Sequence, residues 1–147
     1  MCPIIADPNL FSDLIDKLAK YSFFKKTDAI LAIDARGFIF GSALAKTLRK
    51  PLILARKKNK LPGAIIKEDY GLEYGRDTLS IQEDTIKPFK KFVIMDDLLA
   101  TGGTAKCVSE MLIKSKKEIL ALSVIIELSF LKGSENLDIP VYSEIKY

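Results

Sequence analysis

Apolar residues recur along this chain in two alternating periods. Ala29 to Ile33, Pro51 to Ala55, Phe92 to Met95 and Ile119 to Ile126 are short continuous runs. Such runs mark strands covered on both faces, as in a parallel sheet. Between them, Leu10, Phe11, Leu14, Ile15 and Leu18 repeat at helical spacing, as do Phe40, Gly41, Leu44, Ala45 and Leu48, and then Val108, Met111 and Leu112. Asp7-Pro8 supplies an N-cap and a first-turn proline for the first helix, which runs to about Lys20. Gly37 opens the second helix, and Thr104 the third, which runs to about Ser115. Ile65 to Ile81 reads as antiparallel extended segments around Gly71 and Gly75. Ile86-Lys87-Pro88 leads into the Phe92 strand, and Val141 to Ile145 reads as an edge strand. Strands alternating with helices predict an α/β fold, a right-handed doubly wound parallel sheet flanked by helices.

Everything else is organised around the stretch Phe92 to Thr104, FVIMDDLLATGGT. A buried strand ends at Met95, two acids follow where the chain leaves its carboxyl end, and a loop of small residues leads into a helix. Glycine has no Cβ, so the loop backbone can approach an anion closely. The helix start adds unpaired N–H groups and the positive end of its dipole. Together these make a phosphate cradle from Thr101, Gly102, Gly103 and Thr104. No Gly-Lys-Ser/Thr follows the glycines, so this is not a Walker loop. Carboxylates beside a phosphate site need partners, and sugar hydroxyls or a metal ion supply them. Asp96 and Asp97 therefore point to a phosphorylated sugar. The plainer alternative is a Thr/Gly turn with two solvated acids.

Composition narrows the chemistry. The 147 residues form one domain, spanning 1–147, and a hydrophobic content of 48% suits a packed core rather than a disordered chain. There is no histidine, which removes Ser-His-Asp triads, His-based metalloproteases and most zinc chemistry. Two cysteines, Cys2 and Cys107, make neither a disulfide framework nor a zinc site, and reduced thiols fit a cytoplasmic protein. The Ile119–Ile126 run is too short to span a membrane, and nothing at the N-terminus reads as a signal peptide. A net charge of +4 suits an anionic small molecule as well as a nucleic acid. Lysines cluster around Lys58, Lys90 and Lys116, but without interleaved aromatics or a nucleic-acid motif, so no nucleic-acid partner is expected.

VIMDDLLATGGT resembles the 5-phosphoribosyl-1-pyrophosphate signature of the type I phosphoribosyltransferases, and its LLATGGT form is most similar to the adenine branch. The resemblance extends from about Pro3 to Tyr147. Asp34-Ala35-Arg36-Gly37-Phe38 resembles the family's pyrophosphate loop, with Asp34 in place of a glutamate; taken alone it also reads as a local Asp34–Arg36 pair beside a turn. RKKNKLPG, Arg56 to Gly63, resembles a cationic segment leading to a lid, with Asn59 where glycine is common; by itself it is a solvated basic loop. Leu72-Glu73-Tyr74-Gly75 matches a lid fragment of the adenine branch, and Glu127-Leu128 matches the family's Glu-Leu, although a leucine ending a strand is ordinarily core.

The resemblance implies a central parallel sheet with a small, reduced hood and transfer of a 5-phosphoribosyl group to adenine with release of pyrophosphate. It assigns Asp96 and Asp97 to the ribose hydroxyls, Ala100 to Thr104 to the 5′-phosphate, and Arg36, Arg56 and Lys60 to the pyrophosphate. Glu73 handles the purine proton and Leu128 covers the base. It also implies Mg²⁺, held through the substrate's oxygens with Asp96 the one candidate for direct contact, and a homodimer. Family members carry a leader with a base-stacking aromatic before the first helix, for which Met1 to Ile4 is short, so base binding is where this chain is expected to depart. The alternatives are another purine base (xanthine, hypoxanthine or guanine) or a non-catalytic, nucleotide-sensing regulator.

Overall fold

The computed structural model describes residues 1–57, 60–72 and 75–147. Its strands are β1 (Ala29–Ile33), β2 (Leu52–Lys57), β3 (Ile65–Leu72), β4 (Gly75–Gln82), β5 (Lys91–Leu99), β6 (Glu118–Glu127) and β7 (Val141–Lys146). Its helices are α1 (Cys2–Ala6), α2 (Pro8–Ala19), α3 (Ser22–Lys26), α4 (Gly37–Leu48), α5 (Glu83–Ile86) and α6 (Gly103–Lys114). All seven strands join one sheet in the order β3-β4-β2-β1-β5-β6-β7. The run β2-β1-β5-β6-β7 is parallel, whereas β4 is antiparallel to both β2 and β3. The expected hairpin exists, but it continues the edge of the main sheet, and among the described residues its rungs to β2 are Arg56 with Ser80 and Lys57 with Leu79.

The apolar runs are continuous because helices or the hairpin cover both faces. Leu31, Ile94, Leu122 and Val124 face one core, with Met111 and Leu112 of α6 and Leu79 and Ile81 of β4. Ile30, Val93, Met95 and Ile125 face the other, beneath Ile15 and Leu18 of α2 and Phe40 and Leu44 of α4. Asp7 caps α2 as expected, its carboxylate accepting from the N–H groups of Asn9 and Leu10 at 2.9 and 3.0 Å. The short helices α1, α3 and α5 were not anticipated. Ile86, at the start of the segment that leads into β5, closes α5 and is buried. Among the described residues no helix is long and apolar enough to cross a membrane.

From β1 the chain crosses through α4 to β2 on one side; from β5 it crosses through α6 to β6 on the other. The β1/β5 boundary is thus the switch point of the sheet, and the crevice at the strands' carboxyl ends is where open α/β sheets bind ligands.

Candidate active site

The crevice comes from unequal strand lengths. Pairing of β1 with β5 ends at Ala32 and Met95, whereas β5 stays paired with β6 through Asp96–Val124, Leu98–Ile126 and Leu99–Glu127. Asp96 and Asp97 therefore lie within the strand, not beyond its end as the apolar pattern implied, on an edge that β1 has vacated. The β1–α4 turn fills that gap. A Cβ at Gly37 would stand 2.8 Å from the Met95 carbonyl oxygen and 3.0 Å from Asp96 Oδ1, so only glycine lets α4 begin this close to the acids.

The phosphate loop follows. Its helix starts one residue earlier than expected, at Gly103, with Gly102 at the N-cap in the left-handed region (φ 86°) and no side-chain cap. Glycine takes that conformation without strain. The first N–H groups of α6 are left unpaired by helix geometry and open at the crevice.

A cavity of about 480 Å³ sits here. Asp34, Ala35 and Arg36 line it from the β1–α4 turn, the chain from Asp96 to Ala105 from the other side, Lys57 from the end of β2 and Lys60 from beyond it. The two strand-to-helix motifs thus meet in one site. Arg36 donates from Nε to Asp97 Oδ2 at 2.5 Å, and Asp97 is buried while the Arg36 side chain is 57% exposed. Asp97's hydrogen bond and charge raise the Arg36 pKa further, so the guanidinium stays cationic. Burial pushes Asp96 up to about 8; the Asp97 N–H, donating to Asp96 Oδ1 at 2.8 Å, works against that rise, and the neighbouring Asp97 carboxylate adds to it.

The local Asp34–Arg36 pair does not form. Asp34 instead faces Arg56 Nε and Lys60 Nζ, each at 3.6 Å, and accepts from the Lys57 N–H at 3.3 Å. Arg56 does not line the cavity: it backs Asp34, with its guanidinium carbon 6.0 Å from the centre of the Phe38 ring. Leu128 is also absent from the lining; it is half-buried, and its N–H donates to the Leu99 carbonyl. Glu73, with Tyr74, Lys58 and Asn59, lies outside the described residues.

The sequence reading missed Lys57, Tyr70 and Asp77, which also line the cavity. Tyr70 and Asp77 face each other across the hairpin, and the tyrosine hydroxyl donates to Asp77 Oδ2 at 3.3 Å. Contacts to α6 hold β3 in place: Lys114 Nζ lies 2.6 Å from Glu68 Oε2, and Cys107 Sγ is 3.4 Å from the Glu68 carbonyl oxygen. Burial drives the Cys107 thiol up to about 12, so it stays protonated and serves as a packed donor. A tyrosine five residues into an extended segment carries no sequence signal for this role.

An anion cradle, two adjacent acids and facing cations at a sheet switch point define a class: an α/β protein that takes a phosphorylated sugar. The chain matches the phosphoribosyl transferase domain over residues 4–142 and belongs to that family. It is 53% identical over 140 residues to the adenine phosphoribosyltransferase of Prochlorococcus marinus, covering 95% of this chain and 82% of that protein. Among solved structures it is similar to adenine phosphoribosyltransferase from Thermoanaerobacter pseudethanolicus, with a TM-score of 0.92 and 37% identity over 99% of this chain and 86% of the other. The Saccharomyces cerevisiae enzyme, solved with adenine and an imino-altritol bisphosphate, gives a TM-score of 0.88 and 36% identity over 97% and 84%.

Proposed function

We propose that this chain is a purine-salvage enzyme that joins adenine to 5-phosphoribosyl-1-pyrophosphate, giving AMP and pyrophosphate. The observation that carries the reading is the meeting of Arg36, Asp96, Asp97 and the uncapped start of α6 around one cavity. That set matches, group for group, a ligand with phosphates at both ends and hydroxyls between. About half identity to an adenine phosphoribosyltransferase over nearly the whole chain supports adenine as the base.

In this reading the Ala100–Thr104 backbone takes the 5′-phosphate, and Asp96 and Asp97 take the ribose hydroxyls. Arg36 and Lys60 face the pyrophosphate, with Lys57 beside them and Arg56 holding Asp34 behind. These cations stabilise the charge that accumulates on the departing pyrophosphate as the ribose becomes oxocarbenium-like. Fixing sugar and base together removes much of the entropic barrier. Glu73 accepts the purine proton, and the base reaches past the cavity lining to Leu128, a contact that rests on the family resemblance alone. Adjacent hard-oxygen carboxylates at the cavity fit Mg²⁺, an ion usually held by one or two carboxylates plus substrate phosphates. Bound there, it neutralises pyrophosphate charge, with Asp96 the candidate protein contact. The homodimer, which rests on the family resemblance, and the cytoplasmic setting, which rests on cysteines read as reduced thiols, are part of the same proposal.

The test is nucleotide formation from Mg²⁺, 5-phosphoribosyl-1-pyrophosphate and, separately, adenine, hypoxanthine, guanine or xanthine, with chelation of the metal as a control. AMP from adenine alone is the expected result. Product from another base would reassign the specificity. Tight binding of the sugar pyrophosphate with no product from any base would make the protein a regulator.

A further inference from the structure

Glu127 has no part in that chemistry, yet it is a buried carboxylate with every oxygen engaged. It ends β6 and is 3% exposed. Oε1 accepts from Ser134 Oγ at 2.7 Å; Oε2 accepts from Ser143 Oγ at 2.7 Å and lies 3.2 Å from Lys146 Nζ. Burial works to raise its pKa, but the two hydroxyls and the lysine outweigh it and hold the group below its ordinary value, so it is ionised and its hydrogen bonds are strong.

The segment that Glu127 anchors, residues 128–137, lies against the phosphate loop. A Cβ at Gly133 would sit 2.1 Å from the Ala100 carbonyl oxygen and 3.0 Å from the Gly102 nitrogen; one at Gly102 would sit 2.6 Å from the Gly133 carbonyl oxygen. The two backbones touch with no side chain between them. On either side of this contact, the Leu128 N–H donates to the Leu99 carbonyl at 2.9 Å and Asn136 Nδ2 donates to the Thr101 carbonyl at 3.1 Å. The carbonyls at 99 and 101 are thus hydrogen-bonded by one segment, and the carbonyl at 100 between them lies against its Gly133.

That matters because a glycine-rich loop can flip its peptides. A carbonyl swung into the crevice would repel phosphate oxygens, whereas carbonyls pinned on the far side leave the N–H groups to form the anion-binding concavity. We infer that residues 128–137, clamped by Glu127 through Ser134, are a backing that fixes the peptide orientations of the phosphate loop, with Glu127, Gly133 and Asn136 as positioning residues for the 5′-phosphate. The inference rests on the proposed function and assigns this loop's precision to a segment outside the signature motif.

The test compares the unaltered chain with Gly133→Ala, Ser134→Ala and Asn136→Ala, measuring binding of ribose 5-phosphate and, separately, of Mg²⁺-pyrophosphate by calorimetry. Ribose 5-phosphate reports on the loop and pyrophosphate on the Arg36 side. Gly133→Ala is expected to lose more than about tenfold in ribose 5-phosphate affinity, and Asn136→Ala and Ser134→Ala about two- to tenfold, the worth of one hydrogen bond. Pyrophosphate affinity should stay within about twofold, and Ser134→Thr, which keeps the hydroxyl, should restore sugar phosphate binding. Equal losses for both ligands, or ribose 5-phosphate affinity unchanged in all three variants, would overturn the inference while leaving the function standing. The exposed Asn136→Ala decides the matter if Gly133→Ala does not fold. If the unaltered chain binds neither ligand, the proposed function fails and this inference with it.

Discussion

Helix α4 meets the sheet through two glycines one turn apart, and their neighbours differ in kind, which gives a paired experiment. A Cβ at Gly41 would lie 2.6 Å from Ala32 Cβ and 3.3 Å from Leu52 Cδ1; one at Gly37 would lie 2.8 Å from the Met95 carbonyl oxygen, 3.0 Å from Asp96 Oδ1 and 3.2 Å from Asp96 Cα. Ordinary carbon contacts fall at about 3.5–4.0 Å, so Gly41→Ala must part helix and strand by roughly 1 Å. Overpacking of this kind costs about 1–3 kcal/mol, and alanine's helix preference returns up to about 1 kcal/mol. The net loss is about 1–2 kcal/mol, or a melting temperature lower by roughly 2–8 °C for a chain of this size. Gly37→Ala carries a similar stability cost but also presses on Asp96. A displacement of about half an ångström at a substrate-positioning carboxylate should lower kcat/KM for 5-phosphoribosyl-1-pyrophosphate by about tenfold, given that 1 Å can cost a hundredfold. The assay is a thermal melt of each variant, with initial rates at saturating adenine and varied sugar pyrophosphate. Gly41→Ala should melt early and keep its kcat/KM; Gly37→Ala should lose both. Equal kinetic losses in the two variants, or an unchanged kcat/KM in Gly37→Ala, would refute the idea that Gly37 exists to let the helix start approach the acids.

Asp97→Asn keeps an oxygen for the Arg36 Nε–H and leaves no bare charge behind, because Arg36 is largely in solvent, so stability should fall by no more than about 1 kcal/mol while use of the sugar pyrophosphate drops more than about tenfold; near-normal kinetics would remove Asp97 from the site. Asp96, raised by burial from its ordinary 3.8 to about 8, binds its proton in the folded protein over a range where the unfolded chain has lost it. Its contribution to stability therefore declines as pH rises from about 4 to 8, and a ligand that needs the ionised form must displace the proton below pH 8. Titration calorimetry should show sugar pyrophosphate binding tighten by up to about tenfold per pH unit from 6 to 8 and then level off, with Asp96→Asn flattening the slope; an equal slope in that variant would place the titrating group elsewhere. Glu73→Gln should lower turnover more than it weakens either substrate, and weakened binding at full turnover would take Glu73 out of the chemistry.

The fold was legible where burial on both faces leaves an unbroken apolar run, as in β1, β5 and β6, and where a cap is spelled out, as at Asp7-Pro8. It was illegible where an element is too short for any period to show: α1 and α3 have five residues and α5 four. The placing of Asp96 and Asp97 failed for another reason. Polar residues interrupt the apolar run, so the pattern stops at Met95, but hydrogen bonding to β6 carries the strand on to Leu99. Strand length there is set by a partner, not by the residues' own hydrophobicity. The Gly102–Gly133 contact is of the same type. Gly102 reads as a loop residue and Gly133 carries no signal of its own, and only folding brings the two backbones together.

The least legible feature is how the site balances its charge. The family resemblance assigned Arg36 to the pyrophosphate and Asp97 to the ribose hydroxyls, yet the folded protein pairs them with each other, and it sets Asp34 against Arg56 and Lys60. In the proposed function Arg36, Lys60 and Asp97 are each needed for the ligand, and pairing spares them the cost of waiting unpaired in the crevice. A ligand carrying only phosphates would draw Arg36 and Lys60 away and leave Asp97 and Asp34 bare; one carrying only hydroxyls would engage the acids and strand the cations. A sugar with phosphates at both ends replaces both halves of each pair at once. On the proposed function, the internal ion pairs would contribute to selectivity: they weaken binding of a ligand with one kind of group and favour one whose hydroxyls and phosphates are spaced to take over both roles.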